Sequence, residues 1–67
     1  MTSEEFMKKV IMECNKRSMM TYSFKDKEYN KFRNWFFKYA KKHMGWSKWK
    51  SQTEFEQFAK AFKITIK

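Results

Sequence analysis

The chain has 67 residues, with no proline, one glycine and one cysteine, and its 16 lysines and arginines against 7 acids give a net charge of +9. That length admits one domain, residues 1–67, with a thin core. A lone cysteine excludes an internal disulfide, and with a single histidine it cannot complete a zinc site, so no metal or cofactor is expected.

The N-terminal MTSEEF is acidic and leads no long apolar run, so no signal peptide is expected. No stretch approaches the roughly 18 apolar residues of a membrane span. The expectation is a soluble protein of the cytoplasm with no membrane partner. Aromatic residues make up 21% of the chain, and each ring buries more area than an aliphatic side chain, which offsets the short length. Absent proline and scarce glycine favour helices. The fold class expected is mainly α: a small three-helix domain with an aromatic-rich core.

A first helix should begin near Thr2 or Ser3, because Thr2 and Glu5 match a capping box and Glu4 and Glu5 suit the positive end of the helix dipole. Phe6, Met7, Val10, Ile11 and Cys14 fall on one arc of about 140°. The helix should end near Lys16 or Arg17. Residues 19–24, MMTYSF, read either as a connector or as a brief strand.

A second helix should run from Lys27 to Met44, capped by Asp26 or Ser23 and stopped by Gly45 in a left-handed conformation. Tyr29, Phe32, Phe36, Tyr39, Ala40 and His43 fall within about 100° and make it the central core helix. Residues 46–50, WSKWK, read as a linker. The third helix should start with a capping box at Ser51 and Glu54 or at Thr53 and Glu56, and run to about Lys63. Phe55, Phe58, Ala59 and Phe62 would share its inner face. The terminal KITIK alternates like a strand, and a short two-stranded pairing of residues 19–24 with 63–67 is compatible with the pattern.

The charge is segregated. Residues 1–15 sum to −1, residues 16–50 to +9 and residues 51–67 to +1. On the second helix Lys27, Lys31, Asn34, Lys38, Lys41 and Lys42 occupy an arc of about 100° opposite the apolar one, with no acid among them. Trp35 and Phe37 border that arc. Solvated helices usually interleave Glu and Lys at i, i+4, and like charges at that spacing cost stability. A lysine ridge without acids therefore points to an anionic partner, against the plainer alternative of a solubilising face.

Beyond Gly45, Lys48, Trp49 and Lys50 alternate ring and cation, the arrangement single-stranded nucleic acid requires for stacking and phosphate contact. Trp46 is expected in the core and Trp49 outside it. Lys16, Arg17 and Lys25 would extend the ridge if they point that way. Arg33, on the apolar side, should snorkel or pair with Asp26. The candidate nucleic-acid-binding residues are thus Lys27, Lys31, Asn34, Trp35, Lys38, Lys41, Lys42, Lys48, Trp49 and Lys50.

A base-reading role is disfavoured. The outer face of the third helix, with Glu54, Glu56, Gln57 and Lys60, is nearly neutral, and the lysine ridge lacks the Arg, Asn and Gln that read base edges. Catalysis lacks a constellation: His43 lies on the core arc, Cys14 on an apolar face, and Glu4, Glu5 and Glu13 form no catalytic pair. The chain is therefore expected not to be an enzyme. The leading expectation is a backbone-binding protein for RNA or single strands rather than duplex DNA. The alternative is a protein-binding inhibitor module that docks on an acidic or nucleic-acid-binding enzyme, with or without RNA. A membrane-surface helix is a third reading, opposed by the need for the same apolar face in the core. A thin core with exposed rings is compatible with a homodimer.

In composition the chain resembles the small accessory proteins of large bacteriophages, which are short, basic, proline-free and rich in Met, Lys and rings. The resemblance implies a regulatory or inhibitory role on a host system, in the host cytoplasm, and assigns no residue.

Overall fold

A computed structural model describes residues 1–67. The order is α1 (Ser3–Lys16), β1 (Thr21–Tyr22), α2 (Lys27–Tyr39), a π-helical turn (Ala40–Met44), α3 (Lys48–Ala61) and β2 (Thr65–Ile66). The chain is mainly helical, with three α-helices around an aromatic core and one small parallel sheet.

α1 begins as its sequence dictates. The Thr2 hydroxyl accepts from the Glu5 N–H at 3.1 Å, and the Glu5 carboxylate accepts from the Thr2 N–H at 3.3 Å, which closes the capping box. Phe6, Val10 and Cys14 are buried at successive i, i+4 positions, and Met7 is half-buried. Ile11, expected on the same face, is 44% exposed. A domain this small has too little facing surface to cover a 140° arc, so only the central stripe of the helix is buried. Burial pushes the Cys14 thiol up to about 11, which keeps it protonated and unreactive at neutral pH.

α2 starts at the Asp26 cap, whose carboxylate accepts from the Tyr29 N–H at 3.0 Å. Its run reaches Met44 as expected, but the last turn is wound as a π-helix. There the Ala40 carbonyl accepts from the N–H groups of both Gly45 and Trp46, and Gly45 takes the left-handed φ of 66°. Ala40 is fully buried, while Tyr39 and His43, expected on the core arc, are half-buried at its rim with their rings stacked 5.4 Å apart.

α3 begins four residues earlier than a cap at Ser51 would place it, and six earlier than a cap at Thr53. Ser47 is its cap, accepting from the Lys50 N–H at 3.2 Å, and the Ser51 N–H bonds the Ser47 carbonyl at 2.9 Å. Residues 48–50 are therefore helix, not linker, and neither Ser51 nor Thr53 is a cap. The physical reason is Trp46: docked against Phe6 and Phe36, it fixes the chain one residue before Ser47, so the helix starts at once. At the other end Lys63 takes a left-handed φ of 58°, with Lys63 N–H on the Lys60 carbonyl and Ile64 N–H on the Ala59 carbonyl, a Schellman motif.

Residues 19–24 and 62–67 then pair in parallel, Thr21 opposite Thr65 and Tyr22 opposite Ile66. Bonds from Met19 to Phe62, Thr65 to Met20, Lys67 to Tyr22 and Phe24 to Lys67, all 2.9–3.0 Å, form the latch. Parallel pairing follows from the two helices of the crossover that separates the strands.

Phe36, fully buried, is the hub of the core. Its ring lies 5.2 Å from Phe55, 5.6 Å from Phe6, 6.2 Å from Phe58 and 6.3 Å from Trp46. A Phe36→Ala substitution should cost about 3–5 kcal/mol, the range for a buried ring. Against a total of roughly 3–10 kcal/mol for a domain of this size, most of the native state would be lost, visible as a collapse of the urea midpoint by circular dichroism.

Candidate nucleic-acid interface

The outer face of α2 presents Lys27, Asn34 and Lys38 to solvent, and the π-turn adds Lys41 and Lys42. None of these lysines meets a carboxylate. The ion pairs of the chain engage Lys8, Lys16 and Arg17 alone among the bases. Five of the seven acids are occupied elsewhere: Glu5 and Asp26 cap helices, Glu4 meets Lys8, and Glu13 and Glu28 hold Arg17, while Glu54 and Glu56 on α3 enter no ion pair.

Lys31 departs from the rest. It lines a groove of about 360 Å³ beside α1 in which Lys9 and Arg17 face Glu13 and Glu28. That groove is mixed in sign and poorly suited to a polyanion. Trp35 also lies there, half-buried rather than free. Its ring sits 5.4 Å from Phe6 and stacks on Phe32 at 6.1 Å, with the Lys9 ammonium 5.2 Å from its centroid.

Arg17 points inward and adds nothing to the lysine ridge. Its guanidinium lies 4.4 Å over the Phe32 ring and donates to the Glu13 carbonyl at 2.9 Å, the Glu13 carboxylate at 3.2 Å and the Glu28 carboxylate at 3.1 Å. Its Nε is buried with no partner. Burial alone would raise the Glu13 carboxyl. The Arg17 hydrogen bond and the charges of Lys16 and Arg17 outweigh it and hold Glu13 below the usual carboxylate range. Lys16 is tied to Glu13 at 3.6 Å, and Lys25 lies over the Phe24 ring. Arg33 stacks 4.4 Å over the Phe37 ring, and the expected pair with Asp26 does not form.

Lys48, Trp49 and Lys50 form the first turn of α3, where no acid is present. Trp46 is half-buried in the core with the Lys50 ammonium 5.6 Å from its ring, and Trp49 is 79% exposed. The start of α3 comes close to the end of α2, so that Lys38, Lys41 and Lys48 share one cleft with Ser47 and Ser51. The two serines escaped sequence reasoning as site residues. The available signal was a serine two residues after the glycine that stops a helix.

His43 is held below its usual range, first by desolvation and then by the positive charges of the amino terminus and Lys42, against a smaller opposing effect of Glu5. No helix is long and apolar enough to cross a membrane. Comparison with protein-family models, with curated proteins and with solved structures finds no match for this chain.

The two tryptophans should separate in stability. Trp49→Ala should change it by no more than about 0.5 kcal/mol, as for an exposed site. Trp46→Ala should cost on the order of 2–3 kcal/mol, below the full-burial range because the ring is partly solvated. Urea unfolding of both variants measures the difference. His43 gives a pH signature. Its folded pKa lies below the unfolded value, so the unfolded chain binds more protons and stability falls as pH drops through about 6.5. The urea midpoint should be lower at about pH 5.5 than at about pH 7.5, and His43→Gln should shrink that difference.

Proposed function

We propose that the protein binds single-stranded nucleic acid, RNA in preference to duplex DNA, through the outer face of α2 and the first turn of α3. The observation that carries this reading is the absence of any carboxylate partner for Lys27, Lys38, Lys41, Lys42, Lys48 and Lys50, with Lys31 set apart in the mixed-sign groove. No acid of the chain, Glu54 and Glu56 included, pairs with these ammonium groups, which remain for an external anion. Lysines track the phosphates by counterion release, and the exposed Trp49 indole offers a face for one base. Sequence preference should be weak, because Asn34 is the one side chain of the ridge with paired donor and acceptor groups. A regulatory role is the form that the compositional resemblance implies.

A second reading rests on a different observation. Met19 and Phe24, 74% and 62% exposed, flank β1 and offer an adaptable apolar contact to a protein. Co-purification separates the two readings: absorbance removed by nuclease supports the first, and a stoichiometric polypeptide the second.

Binding to a single-stranded RNA oligomer should weaken steeply with salt, with a log–log slope near −4 for about six phosphate contacts. Trp49→Ala should weaken it by about 1–3 kcal/mol. Fluorescence anisotropy over a salt series measures both, and a flat salt response refutes the reading.

A further inference from the structure

The cleft between the end of α2 and the start of α3 has a volume of about 390 Å³. Lys38, Lys41, Ser47, Lys48 and Ser51 line it together with the Phe37 and Trp46 rings, and no acid does. The groove on the other side of α2, of similar size, contains two glutamates. The positive end of the α3 dipole opens on this cleft. Ser47 covers the Lys50 N–H and the Ser51 N–H turns to the Ser47 carbonyl, which leaves the N–H groups of Lys48 and Trp49 without acceptors in the chain. Helices usually place Asp or Glu at this end, whereas here lysines occupy it, a placement the dipole opposes unless an anion joins them.

Ser51 is the independent observation. The residue is 2% exposed, lines the cleft, and its hydroxyl enters no hydrogen bond of the chain. The Arg17 Nε is the one side-chain polar atom of the chain both shut off from solvent and unpaired, so the Ser51 hydroxyl keeps its opening to the cleft and is free to donate there. A ligand oxygen in the cleft would satisfy it.

We infer that this cleft is the subsite for one phosphate group of a bound strand. The ammonium groups of Lys38, Lys41 and Lys48, the Ser51 hydroxyl and the first-turn N–H groups of α3 are its donors. A terminal phosphate of the strand, with three free oxygens, uses more of these donors than a carboxylate does, and an internal phosphodiester presents two. The volume falls in the roughly 300–1,000 Å³ of small-ligand sites, which admits the attached sugar as well. Trp49 belongs to the same helical turn but lies outside the cleft, on the exposed side of α3. The inference rests on the nucleic-acid reading and gives it a fixed point: the strand is anchored here and runs loosely over the remaining lysines.

The test titrates the isotopically labelled full chain with inorganic phosphate and then with a single-stranded RNA oligomer. Phosphate should shift the amide signals of Lys48, Trp49 and Ser51 more than any others. Ser51→Ala, a substitution toward a better helix former, should keep the fold and weaken both ligands about tenfold, the effect of losing one hydrogen bond to a charged group. Lys48→Ala, at an exposed position, should do the same. Lys27→Ala, on the ridge outside the cleft, should weaken the oligomer and leave phosphate unchanged. If Lys27→Ala weakens the oligomer while Ser51→Ala and Lys48→Ala bind both ligands like the parent, the subsite is overturned and the general reading stands. If phosphate shifts the three amides but no oligomer binds, the nucleic-acid reading falls, and the strand subsite with it.

Discussion

A chain of 67 residues must fill its interior with very few side chains, and the rings around Phe36 are how this one does so. α1 contributes Phe6, α3 contributes Phe55 and Phe58, and the segment between α2 and α3 contributes Trp46. The centroid spacings of 5.2–6.3 Å lie in the range where tilted and edge-on rings attract beyond their buried area. Every helix is positioned by reference to one ring. The same cluster sets the outside of the molecule, because fixing Phe36 inward turns Lys38 and Asn34 outward.

Charge is arranged around that core in two ways. Near its α1 edge, Arg17 is desolvated over Phe32 and matched to Glu13 and Glu28, which joins the end of α1 to the first turn of α2. A buried guanidinium of this kind demands carboxylates, and the chain has only seven acids to supply. The cations of α2 and α3 are left without local compensation. Their mutual repulsion is a continuing cost to the fold that an anion would relieve.

What was legible in the sequence was what depends on near neighbours. The Thr2–Glu5 box, the Asp26 cap, the Gly45 stop and the inner stripe of α2 all arise within a few residues, and the structure has them. The opposite fates of Trp46 and Trp49 match the expectation but have no local signature, since Trp46 is held by Phe6 and Phe36. The start of α3 was misplaced because Ser51 has a glutamate three residues on and Ser47 does not. That preference is worth less than the docking of Trp46, a contact with Phe6 forty residues earlier in the chain. The winding of Ala40–Met44 has no periodic signature, since it depends on two N–H groups sharing the Ala40 carbonyl. The inward turn of Arg17 needed Glu28, and the cleft needed two helices brought side by side. Neither is encoded in any single stretch. For the candidate site, the lysines of the ridge could be listed from the sequence, but not their division between a groove of mixed sign beside α1 and an acid-free cleft beside α3.

The strand pair has a kinetic meaning. Thr21 and Thr65 are paired across a separation of 44 positions, whereas the capped helices are built from contacts only a few positions apart. Closing so long a loop is entropically unfavourable until the intervening helices have shortened the distance. The sheet should therefore form last, on a helical scaffold already collapsed, and open first when the molecule breathes, so that slow amide exchange would be found in the helical interior and fast exchange along the seam that joins the two ends.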